Sequence, residues 1–258
     1  MKDLKNIDGI PPENIAGIFV DSENERILVF TKDILVNQLQ REAPDVAKSF
    51  DVIFDGELRQ LSESLSFVLP IIATGQKQAI RDGDELIQTC GLLLQNASNT
   101  IIASAECLRE GFRLQSGILI RSVIEICAVI FHLIKIPEDL QKFNMNKFNS
   151  TKAISTAQKM LPLFGRIWGA LSKQFIHITS FHSGWHPLHK YTDRTDTAAT
   201  TIIGILGLAV YFLKISAELT FINYIAKPHH WIVKGAGVVE FVPPTAEEMD
   251  WISKVLDD

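Results

Sequence analysis

At 258 residues, with 47% hydrophobic and 21% charged side chains and no low-complexity tract, the chain can bury a sizeable core and is neither disordered nor fibrous. A net charge of −5 argues against a general nucleic-acid coat. Cys90, Cys107 and Cys127 fall in helical patterns without CxxC spacing, and the opening MKDLKNIDGIPPEN lacks an apolar leader core, so reduced thiols and a cytoplasmic location are expected.

Residues 1–31 form a unit of their own. NIAGIFV (14–20) and RILVFT (26–31) are β-branched and aromatic, and DSENE between them supplies turn residues, so the pattern predicts a β-hairpin. Residues 32–258 read as one helical bundle. Phe50, Phe54, Leu58, Leu61, Leu65 and Val68 repeat every three to four positions, which predicts a helix from Pro44 that Pro70 and Gly75 break or kink. Asp82 or Asp84 is placed to cap a helix over 85–110, Gly111 to stop it, and Pro137 to end a further helix over 112–135.

Beyond a polar connection (138–150), Ser150 or Thr151 begins a helix interrupted at Pro162 and Gly165. Another runs over about 165–182. Thr195 or Asp196 caps a strongly apolar helix over 196–226, expected at the centre of the bundle. WIVK and VVEFV form a short extended pair, of which 238–242 could join the N-terminal hairpin. Thr245 and Glu248 have capping-box spacing at the head of a closing helix. The fold class is therefore mainly α, a helical bundle with a small N-terminal β-hairpin and short C-terminal extended segments.

Neither of the most apolar stretches reads as a membrane span. The run 201–213 ends at Lys214 after 13 residues, against about 20 needed to cross a bilayer. The run 117–134 carries Arg121 and Glu125 near its middle. No membrane association is expected.

That Arg–Glu pair is the most informative chemistry in the chain. Burying a charge is costly unless it is paired, and at 100° per residue Arg121, Glu125 and His132 fall within about 40° of one another, beside Gly117. Glu106 and Glu110 are candidate partners for Arg113 or Arg121. Two readings stand: a brace that fixes helix register, or the wall of a polar pocket. Treated as a core salt bridge, the pair predicts that Arg121→Ala costs about 3–5 kcal/mol.

The segment 171–189 (LSKQFIHITSFHSGWHPLH) holds His177, His182, His186 and His189 together with Ser172, Thr179, Ser180 and Ser183. Its spacings do not build a metal site. His177 and His182 are five apart, His182 and His186 straddle Gly184, and there is no HExxH or nearby cysteine. No metal or other cofactor is assigned, and no Gly-x-Ser-x-Gly elbow frames a nucleophile. His177 is expected to be buried and hydrogen-bonded towards the Arg121 stripe, and His186 and His189 to be exposed. The binding or structural polar pocket is assigned to Arg121, Glu125, Ser172, His177 and His182.

Residues 135–173 contain seven basic and two acidic side chains, a local +5 that leaves −10 elsewhere. Basic residues recur every seven positions at 152, 159, 166 and 173, which predicts a solvated helix face with at most weak polyanion contact. Phosphate-binding glycine loops are absent.

The motif Arg121-Ser122-Val123-Ile124-Glu125, followed later by Leu171-Ser172 with His177 or His182, resembles a bacterial family of helical proteins of unknown function, over roughly residues 85–225. The order of helices also resembles, more loosely, the HEPN domains, which include ribonuclease toxins and phage-defence proteins. Ribonucleases of that group carry Arg, four to six residues, then His on one helix. Here ten residues separate Arg121 from His132 and Arg166 from His177, so that motif is absent. The expected function is a non-catalytic binding or interaction module, homo-oligomeric, organised around Arg121 and Glu125. The alternative is a phosphodiester hydrolase using the 177–189 histidines with Arg121 as anion stabiliser.

Overall fold

A computed structural model describes residues 10–178, 182, 190–235 and 238–257. The hairpin forms as the alternation requires: β1 (Ile15–Asp21) pairs antiparallel with β2 (Arg26–Thr31), Ile18 facing Val29 and Val20 facing Ile27, with a register shift between Ile15 and Gly17. Asp21 closes the turn by accepting from Asn24 and from Arg26 Nε at 2.8 Å.

A one-turn helix α1 (Ile34–Asn37) and a π-turn lead into α2 (Ala43–Asp82), 40 residues in two helical segments joined by a kink at Phe54. Of the expected break or kink at Pro70 and Gly75, the break does not occur: the helix continues through both. That proline costs one backbone hydrogen bond without ending the helix, and Thr74 Oγ1 donates back to its carbonyl at 2.6 Å. The irregularity falls instead at Phe54 (φ −114°, ψ 18°). Gly75 is no breaker either. The ring of Phe221 lies where its Cβ would be, 2.2 Å away, so glycine lets the two segments touch. Gly83 ends α2 in the left-handed region at φ 68°, with Asp84 N–H donating to Ala79 O at 3.1 Å.

Asp84, not Asp82, caps α3 (Glu85–Arg109), accepting from Ile87 N at 3.0 Å. Gly111 (φ 87°) turns the chain into α4 (Arg113–Lys135). The connection folds as α5 (Leu140–Asn144), followed by α6 (Ser150–Met160) and α7 (Leu163–Leu171). Asp196 accepts from Ala199 N at 3.0 Å to cap α8 (Thr197–Thr220). The chain closes with β3 (Trp231–Gly235), β4 (Val238–Phe241) and α9 (Ala246–Asp257). Thr245 and Glu248 form the reciprocal capping box, at 2.8 and 3.2 Å. β3 and β4 make a separate two-stranded sheet and do not join the N-terminal hairpin.

Helices α3, α4 and α8 form the centre, flanked by α2, α6 and α7. Phe131, Phe164 and Phe212 stack through it at 5.0 and 4.5 Å, and Phe50, Phe54 and Tyr191 form a second aromatic cluster. Both α4 and α8 are long and apolar enough to cross a bilayer, which the 13-residue count at 201–213 had not indicated; in this fold more than half of each apolar window is buried against protein. Charged side chains tie the periphery. Arg109 grips Asp51 through two 2.7 Å bonds, and Arg113 pairs with Asp196 at 3.1 Å, not with Glu106 or Glu110.

Candidate functional site

Arg121 and Glu125 are bonded at 2.6 Å across one turn of α4, as their spacing demands. They sit at the rim of the bundle, with 20% and 26% of their side chains exposed, and not within the core. The periodicity gave the right face, but α7 covers only part of it. Past Leu171 the chain widens into a π-turn over Ser172–Ile176. Ser172 Oγ accepts from Arg121 Nε at 3.2 Å, Phe175 packs onto Gly117, and Trp168 lies 5.1 Å from the guanidinium. Gly117 thus permits the close approach its position suggested.

Of the expected pocket residues, the structure brings Arg121, Glu125 and Ser172 together. His177 is a correction. The π-turn ends there in extended backbone (φ −77°, ψ 120°), so its ring leaves the helix and is exposed, not buried. His182 is half-buried. His186, His189, Thr179, Ser180 and Ser183 lie outside the described residues, and among the described residues no three His, Cys, Asp or Glu gather at metal-binding spacing.

His132 belongs to another cluster. It lies about 16 Å along α4 from Arg121 and is fully buried, with Nε2 2.8 Å from Asp139 and Nδ1 2.9 Å from Thr156 Oγ1. Asp139 also accepts from Lys142 and, at 3.1 Å, from Lys152; with Lys142 the largest influence, these donors hold its carboxyl well below the usual carboxylate range. Thr156 donates its hydroxyl proton to Lys152 O at 3.1 Å. Hydroxyl, imidazole and carboxylate form a line, but the hydroxyl is tied to a helix carbonyl. The cluster clips the 137–144 connection and α6 onto α4. It also commits Lys142 and Lys152 internally, while the gap between α6 and α7 at Leu161–Pro162 interrupts the helix that the sevenfold basic repeat required.

A concavity with a volume of about 550 Å³ lies elsewhere, between α2, α8 and α9. Its apolar wall is Leu61, Phe67, Ile203, Val210 and Trp251, and Gln60, Ser64, Thr200, Tyr211, Lys214 and Glu248 supply polar groups. α9 approaches α8 closely because Gly204 and Gly207 offer no Cβ; one added there would meet Val255 or Trp251 at 3.0 Å. Glu57 is engaged by Arg194 at 2.8 Å and Glu248 by its capping box. Lys214 forms no ion pair with any described residue.

Behind this groove the polar groups are buried. Glu218 Oε2 accepts the backbone N–H groups of His229 and His230 at 2.9 and 2.7 Å, fastening the β3 approach to α8. Tyr211 packs edge-on to His230, ring centroids 5.3 Å apart. Burial, then Glu248 and Glu218, pushes the Tyr211 hydroxyl up; burial pushes the His230 imidazole down against the pull of Glu218. Tyr211 Oη, Glu218 Oε1 and His230 Nε2 are buried without a hydrogen-bond partner among the described residues. The C-terminal half of α8 is thus a concentrated polar end beside an apolar wall.

The sequence reading treated α8 as hydrophobic all round and missed this site. A signal was present: Gly204, Gly207, Tyr211 and Lys214 fall within about 80° on one helix face. The second helix and α9, which complete the groove, are distant in sequence. Compared with protein-family profiles, with curated proteins and with solved structures, the chain matches none.

Proposed function

We propose that this protein is a non-catalytic binding module whose ligand is a small amphipathic organic acid held between α2, α8 and α9. The observation that carries this reading is the groove itself: about 550 Å³, within the range of ligand sites, with an apolar wall and a lysine, Lys214, that forms no ion pair with any described residue. An alkyl or aryl body would lie against Phe67, Ile203 and Trp251, and a carboxylate would meet Lys214. The Arg121–Glu125–Ser172 patch serves in this reading as the brace that holds α4 to α7. The contact between Arg121 and Ser172 also joins the Arg-Ser-x-x-Glu helix to the Leu-Ser segment.

Calorimetric titration with decanoate tests the proposal. Binding is expected in the wild type. It should be weakened about tenfold in Lys214→Gln, the equivalent of one charge-assisted hydrogen bond. Ser64→Trp, which fills the groove from its exposed rim, should abolish it. Absence of binding, or equal binding by wild type and both variants, overturns the reading.

A further inference from the structure

The N-terminal hairpin is apolar on both faces, an arrangement a two-stranded ribbon cannot satisfy alone. Residues opposite one another across an antiparallel pair share a face. Phe19, Leu28 and Phe30 therefore lie on one side, and Ile18, Val20, Ile27 and Val29 on the other. The hairpin does not lie down on the bundle: Phe19 is 56% exposed and Val20 61%. Exposure continues into α1, where Leu35 is 66% exposed. Ten large apolar side chains between positions 18 and 39 are each more than one-third exposed. Their combined exposed surface, spread over both faces of the ribbon and α1, is on the order of 1,000 Å², comparable with the ~800 Å² that each partner contributes to a standard interface.

We infer that this arm is a homodimerisation surface, packed against the same arm of a second copy about a twofold axis. The area is what a stable dimer needs. An isologous contact requires a surface complementary to itself, which an apolar ribbon with two open edges provides. The charges agree. Arg26 is bonded to Asp21 within the turn, and Glu23 and Glu25 leave the tip acidic, which disfavours an anionic bilayer as the partner of the tip.

Sedimentation equilibrium tests this directly. The wild type is expected at twice its 28.9 kDa chain mass, dissociating on dilution. Phe19 and Leu28 are directly paired, so the double exchange Phe19→Glu with Leu28→Lys replaces an apolar pair by a cross-strand ion pair and keeps the hairpin. That variant is expected as a monomer whose helical circular dichroism and thermal midpoint match the wild type at concentrations where the latter is monomeric. Leu35→Gln, outside the hairpin, should weaken the dimer without touching strand pairing. A wild type monomeric at all concentrations, or a double variant that remains dimeric, overturns the inference. So does a monomeric wild type that sediments with phosphatidylcholine–phosphatidylglycerol vesicles when the double variant does not, which would assign the arm to a membrane.

Discussion

Arg121 shows how much exposure changes the cost of losing a charge. A pair sealed in a core would cost about 3–5 kcal/mol to break, but this one is half-buried at a rim. An exposed ion pair contributes about 0–1 kcal/mol and a cation over an exposed ring about 0.5–1. Arg121→Ala is therefore expected to destabilise by about 1–2 kcal/mol, read as a modest fall in the urea midpoint. Asp139 is the more consequential charge, since it alone joins His132, Lys142 and Lys152. Its folded carboxyl titrates below its unfolded value, so the native state binds fewer protons there. The stability it contributes is present above the ordinary carboxylate range, near pH 4, and is lost as pH falls through and below it. Asp139→Asn should lower the thermal midpoint at neutral pH more than Lys142→Gln does. It should also flatten the acid limb of a midpoint-against-pH curve; an unchanged limb would reject this role.

Among the elements, α2 shows where local rules give way to packing. Proline and glycine at positions 70 and 75 argue for a break, yet Phe221 needs the missing Cβ of Gly75, and tertiary contact holds the helix through both. Gly75→Ala should gain up to about 1 kcal/mol in helix propensity and lose about 1–3 to overpacking. Net destabilisation is expected in chemical denaturation; a rise in midpoint would show that Phe221 moves aside freely. The caps were legible because each depends on a side chain within three residues of the helix start: Asp84, Asp196 and the Thr245–Glu248 box all act as their spacing requires. His177 was misplaced because a π-turn changes the phase of a helix, and nothing in the 3.6-residue periodicity of the segment announces one.

For the whole molecule, the sequence by itself determined the class of fold, the order of its main elements and the central place of α8. Apolar periodicity, turn residues and caps are local properties, written within a few residues of where they act. It also determined that Arg121 would bond to Glu125, since one helical turn fixes that distance whatever surrounds it. Only the tertiary structure decided that this pair lies at a rim, that His132 turns to Asp139 and Thr156, and that α2, α8 and α9 enclose a groove. Those facts depend on which helix covers which face, and the residues that meet Lys214 and Tyr211 come from α2, more than 100 positions earlier, and from α9 beyond the β3–β4 pair. No periodicity within one helix carries that information, because burial and pairing across helices are set by the packing of the complete chain.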